Sequence, residues 1–153
     1  MTTQADTRTA QLDTRELAAW RGMLRAYREL VGSLDAELIR DHNLPLTSYE
    51  VLIALADAPE NRLRMGELAN ALLLSRSGLT RLVDRLERQG LVQRARCPDD
   101  ARGWHAVLTD KGRAKLEAAR PAHLEGVRRH FLDHLSDEEL DALAAIWKKV
   151  TPA

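Results

Sequence analysis

Between residues 62 and 102 this 153-residue chain carries nine arginines, Arg62, Arg64, Arg76, Arg81, Arg85, Arg88, Arg94, Arg96 and Arg102, against five carboxylates, Glu67, Asp84, Glu87, Asp99 and Asp100. Three hydroxyls, Ser75, Ser77 and Thr80, stand among them. A guanidinium presents a fork of donors to phosphate oxygens or to the acceptors of a base edge, and hydroxyls add short hydrogen bonds to the same groups. The positive footprint is local. The whole chain has 23 basic and 23 acidic residues and no net charge, and residues 1–61 hold six arginines against ten acids. Charge alone is as compatible with a solvated face as with phosphate binding, so the elements that display it must decide.

Two other groups could do chemistry. Cys97 is the only cysteine, which excludes an internal disulfide and agrees with a reducing compartment, and at the end of a wing strand it is expected to be a structural or incidental thiol. His123, His130 and His134 fall at helical spacing, but no cysteine set or HExxH pattern completes them, so no metal or cofactor is expected. There is no nucleophile elbow, no phosphate-binding glycine loop and no convergent carboxylate–histidine set, which excludes the common enzyme classes.

The arginines sit on a recognisable order of elements. Met65, Leu68, Ala69 and Leu72 make one helical stripe; Ser75 is a candidate N-cap; and Leu79, Leu82, Val83 and Leu86 make a second stripe that leaves Arg76, Ser77, Thr80, Arg81 and Asp84 off the apolar face. Gly90 reads as the C-terminal stop, with Leu91 behind it. The period then changes to two over Val92–Cys97, turn chemistry occupies 98–103, and Trp104, Ala106 and Leu108 alternate on a return strand. Helix, turn, helix and a two-stranded wing make a winged helix-turn-helix. Such a unit puts one helix in the DNA major groove and the wing on backbone or minor groove.

Long helices flank that unit. Leu17, Trp20, Leu24, Tyr27, Val31, Leu34 and Leu38 step by three and four, as do Leu140, Leu143, Trp147 and Val150. Pairs Asp13/Glu16, Thr47/Glu50 and Ser136/Glu139 read as capping boxes, giving helices over 13–41, 47–57, 109–134 and 136–150, with Pro121 expected to kink or split the third near Arg120. One 153-residue domain has too little chain to bury both seams, so a symmetric second copy is expected.

The stretch LLLSRSGLTRLVDRLERQGLV, followed by DDARG and LTDKG, resembles the MarR (multiple antibiotic resistance regulator) family of bacterial transcription factors. Ser75-Arg76-Ser77, Thr80-Arg81-Leu82, Asp100-x-Arg102 and Leu108-Thr109 carry the resemblance. It implies a mainly α fold with a small β-wing, flanked by N- and C-terminal dimerisation helices. It further implies an Asp100–Arg102 pair at the wing, and a small aromatic or phenolic acid bound between the dimerising helices and the winged part. Ala101 stands where many members have arginine. Redox sensors of the family keep their cysteine near the N-terminal helix, whereas Cys97 is in the wing, and zinc-sensing members exist.

The sequence therefore predicts a flexible segment over 1–12, a helical dimerisation region over 13–46 and 109–153, and a winged helix-turn-helix over 47–108, all in one compact domain. The expected function is that of a dimeric, sequence-specific regulator, a repressor released by a small ligand. Ser75, Arg76, Ser77, Thr80, Arg81, Arg85, Asp100 and Arg102 would contact the double-stranded DNA of a palindromic operator. Trp20, Tyr27, His42 and Tyr49 would line the effector site. No 18-residue apolar run or signal segment is present, so a soluble cytoplasmic protein without membrane contact is expected. A winged-helix module that binds protein rather than DNA is the alternative, and the arginine excess argues against it.

Overall fold

The computed structural model describes residues 11–151, so the expectation of flexibility over 1–12 lies, but for its last two residues, outside the described range. Helix α1 (Thr14–His42) opens on the expected box: the Asp13 carboxylate accepts from the Glu16 N–H, and Glu16 accepts from the Asp13 N–H, both at 2.8 Å. Helix α2 (Leu46–Asp57) does not open on Thr47 and Glu50. Pro45 stands at its N-cap with no side-chain acceptor, and Asp35 on α1 takes the Leu46 N–H at 2.8 Å. A carboxylate eleven residues away does the local cap's work and ties α2 to α1.

A 3-10 turn (Pro59–Asn61) leads into β1 (Arg62–Arg64), a strand the periodicity did not reveal. Helices α3 (Met65–Ala71) and α4 (Arg76–Arg88) follow. Ser75 caps α4, accepting from the Gly78 N–H at 3.1 Å. Gly90 ends it at φ 74, left-handed backbone that glycine adopts without penalty, and the Leu91 N–H returns to the Leu86 carbonyl at 3.0 Å. Strands β2 (Val92–Cys97) and β3 (Asp100–Leu108) are joined by Pro98–Asp99 alone, so the return strand begins four residues earlier than expected and the turn is two residues, not six. The sheet order is β1-β3-β2, all antiparallel, with Leu63 opposite Ala106 and Ala95 opposite His105.

Helix α5 (Asp110–His130) is capped by Thr109 and starts against Leu91, just ahead of β2, where a side chain on Gly112 would run into the Leu91 carbonyl. It is not split at Pro121. Pro121 and Glu117, whose carbonyl loses its donor, are both on the exposed side of the helix, while Leu116, Ala119 and Gly126 hold the helix inward on both sides. The helix ends at His130; Leu132–His134 is a 3-10 turn, and α6 (Asp137–Val150) opens on the expected Ser136/Glu139 box.

One core joins these elements. Leu38, Leu52, Leu55, Leu68, Leu79, Val83, Leu86 and Leu116 are all sealed from solvent. At about 1.5–3 kcal/mol for each buried aliphatic side chain, the four apolar residues of α4 fix which way its other face points. The long seams behave differently. Leu38 is the only buried residue of α1, Trp20 and Tyr27 are 52% and 67% exposed, and α6 buries no residue at all, leaving Ile146, Trp147 and Val150 open.

Candidate nucleic-acid interface

The buried stripe of α4 turns Arg76, Ser77, Thr80, Arg81 and Arg85 outward, and all five are exposed. The hydroxyls are partly committed. Ser75 caps the helix and lies 3.4 Å from the Ser77 hydroxyl, and the Thr80 hydroxyl donates to the Arg76 carbonyl at 2.8 Å, which leaves its lone pairs as acceptors. Arg85 reaches back to the Ser48 hydroxyl at 3.4 Å. Among the described residues no carboxylate pairs with Arg76, Arg81, Arg85 or Arg102. Those cations are free for an external anion.

Two arginines of the footprint are not. Arg62 pairs with Glu60. Arg94 on β2 bonds Asp84 at 2.6 Å and Glu87 at 2.7 Å, both on α4, while Glu87 also accepts the Arg94 N–H at 3.0 Å. The acids of α4 thus bind the wing strand, which leaves Arg76, Arg81, Arg85 and Arg88 of α4 without a carboxylate partner among the described residues.

At the wing, the expected Asp100–Arg102 side-chain pair is not formed. Asp100 Oδ1 accepts the backbone N–H of Arg102 at 2.9 Å, so the carboxylate shapes the strand and leaves the guanidinium unpaired. Arg96 donates to the Ala101 carbonyl at 2.7 Å and lies 4.8 Å from the centre of the Trp104 ring. Between wing and α4 is an open groove of about 710 Å³ whose walls include Arg64, Asn70, Arg76, Thr80, Arg102 and Trp104. Arg64, Asn70 and Trp104 were not among the expected site residues. Trp104 read only as an apolar strand position, and Arg64 reaches the groove because of the unforeseen strand β1.

The four expected effector residues do not meet. Trp20 and Tyr27 are on the open face of α1, His42 ends that helix, and Tyr49 is buried in α2. Tyr49 instead packs on His123 of α5, ring centres 4.4 Å apart. Its hydroxyl, His123 Nδ1 and Arg120 Nε are buried without a partner among the described residues. Burial raises the Tyr49 pKa and lowers that of His123. His130 is drawn to α1 instead, 2.8 Å from Glu37, which Arg129 also bonds at 2.7 Å; the imidazole, then the guanidinium, hold the Glu37 carboxyl below its ordinary range. Cys97 is buried, its Sγ 3.1 Å from His105 Nδ1. Among the described residues, no group of three His, Cys, Asp or Glu is placed to hold a metal ion, and no helix is long and apolar enough to cross a membrane.

Known proteins share this fold. A model of the MarR family matches residues 42–103. An uncharacterized HTH-type transcriptional regulator, YkoM of Bacillus subtilis (strain 168), is 33% identical over 130 residues, spanning 83% of this chain and 82% of that protein. Among solved structures, the fold is similar to AbsC, a MarR family transcriptional regulator from Streptomyces coelicolor (TM-score 0.87, 37% identity, 93% of this chain and 95% of that one). It is likewise similar to Sco3205 of the same organism, a MarR family regulator solved in complex with DNA (TM-score 0.89, 38% identity, 94% and 89%).

Proposed function

The chain belongs to the MarR family of transcriptional regulators, and on that premise we propose that it is a dimeric, sequence-specific DNA-binding repressor released by a small aromatic acid. A member of this family regulates transcription and is not an enzyme. The observation that carries the DNA reading is the outward face of α4. Arg76, Ser77, Thr80 and Arg81 are exposed, the two arginines have no carboxylate partner among the described residues, and the wing with Arg102 stands across the groove. In this reading Arg76 and Arg81 take base edges and phosphates in the major groove. Ser75, Ser77 and Thr80 set the helix against the backbone, Arg85 holds a phosphate, and Arg102, positioned by Asp100, reaches the minor groove or its backbone. The division of the chain into a winged unit over 47–108 and a dimerisation region over 13–46 and 109–153 belongs to the same proposal.

The open seams of α1 and α6 support the dimer. An unfilled stripe that includes Trp20, Tyr27, Trp147 and Val150 is the surface a two-fold copy would cover, and two-fold symmetry sets the recognition helices about 34–36 Å apart on a palindrome. Tyr49, with Arg120 and His123, supports the effector: two buried donors without acceptors suit a carboxylate, and an acid bound between α2 and α5 would bias the spacing of the two winged units. Selection of fragments from the source genome, followed by titration of those recovered, tests the function. Recovery of a palindrome bound far more tightly than scrambled DNA is the expected result. Failure to enrich any sequence would favour a protein-binding winged helix.

A further inference from the structure

Trp104 is 40% exposed on β3, and its open face looks into the groove between wing and α4. The Arg96 guanidinium, which is not among the residues lining the groove, lies over the ring 4.8 Å from its centre and is itself held by the Ala101 carbonyl. An indole held from behind and open in front is a prepared apolar surface, since its position is fixed before anything binds. The walls beside it carry the cations Arg64, Arg76 and Arg102. The two carboxylates in the groove are engaged with backbone N–H groups, Glu67 with that of Arg64 at 3.0 Å and Asp100 with that of Arg102 at 2.9 Å. A groove with cations on its rim and an indole on its wall matches a chain of alternating phosphates and deoxyriboses. Within the sugar–phosphate backbone of a stacked duplex the deoxyribose is the part that offers an apolar face, and an uncharged surface suits it.

We infer that Trp104 seats a deoxyribose of the DNA strand that passes between the recognition helix and the wing, and so sets the register of the wing on the duplex. This rests on the DNA-binding reading above. An apolar seat differs from an ionic one in a measurable way, because covering a sugar releases no counterion.

Hydroxyl-radical footprinting, which reads the solvent access of each sugar, tests the assignment on a duplex recovered by the genomic selection. The parent should protect a small group of sugars in each half-site. Trp104→Ala should lose that protection and bind about tenfold more weakly with an unchanged salt slope, and Trp104→Phe should retain most of both. Arg96→Ala takes away the support behind the indole and should weaken the same protection in part, less than Trp104→Ala does. If Trp104→Ala keeps the parent's affinity and footprint, or if Trp104→Phe loses the protection as fully as Trp104→Ala, Trp104 does no more than support the wing. A parent that protects no DNA at all would overturn the DNA reading itself.

Discussion

Arg94 Nη2 on the first wing strand lies 2.6 Å from Asp84 Oδ1 on the recognition helix, with the Arg94 side chain only 20% exposed. The second arm of the guanidinium bonds Glu87 one turn further on, so a single side chain fixes the angle between helix and wing. Removing it leaves two carboxylates facing each other across a gap.

Arg94→Ala should therefore cost about 1–2 kcal/mol of stability, between the values for exposed and buried pairs, as measured by urea unfolding. It should also weaken binding to cognate and scrambled DNA alike, with no change in salt slope, because Arg94 faces carboxylates rather than phosphate. A flatter salt slope in the variant would place Arg94 on the DNA.

Where the determinants were local, the sequence was legible. The apolar stripe of α4, its Ser75 cap and its Gly90 stop need only neighbouring residues, and all three are in place. What the sequence did not reveal depends on partners far along the chain. β1 is three residues, too short to alternate, and is a strand only because Leu63 meets Ala106. The Thr47/Glu50 box lost to Asp35, a competitor visible only once α1 folds back over α2. Of the site, the α4 face was readable from periodicity. The role of Asp100 toward a backbone N–H, and the scatter of Trp20, Tyr27, His42 and Tyr49, follow from three-dimensional placement.

The uncovered seams make assembly a direct test. Light scattering should give about twice the 17.2 kDa chain mass at micromolar concentration. Leu143→Asp or Trp147→Asp should shift it to the monomer, since an unpaired charge on an apolar contact costs several kcal/mol. A parent that stays at the single-chain mass would remove the dimer and the palindrome with it.

His123 makes stability pH-dependent. Burial lowers its pKa from the ordinary value of 6.5, with the Tyr49 ring against it and the unpartnered Arg120 Nε among the buried atoms of the same helix. Above that value the imidazole is neutral in both states. As the pH falls below it, the unfolded chain binds a proton that the half-buried ring resists, so stability is lost. Thermal melts at about pH 7.5 and about pH 5.5 should show a larger drop for the parent than for His123→Gln, which cannot titrate. Equal drops would mean that His123 protonates in the folded state as readily as in water.

The outward face of α4 is most directly tested by comparing Arg81→Ala with Arg102→Ala, in titrations of a labelled operator at several salt concentrations. Arg81 is exposed on the recognition helix, so its loss should cost about 1–3 kcal/mol on the cognate site and narrow the gap between cognate and scrambled DNA. Arg102 is on the wing, so its loss should weaken both DNAs more evenly and flatten the salt dependence by about one counterion per half-site. Asp100→Ala should follow Arg102→Ala, because Asp100 sets the backbone from which that arginine extends. If both arginine variants bind as tightly as the parent, α4 faces something other than DNA and the protein-binding reading replaces this one.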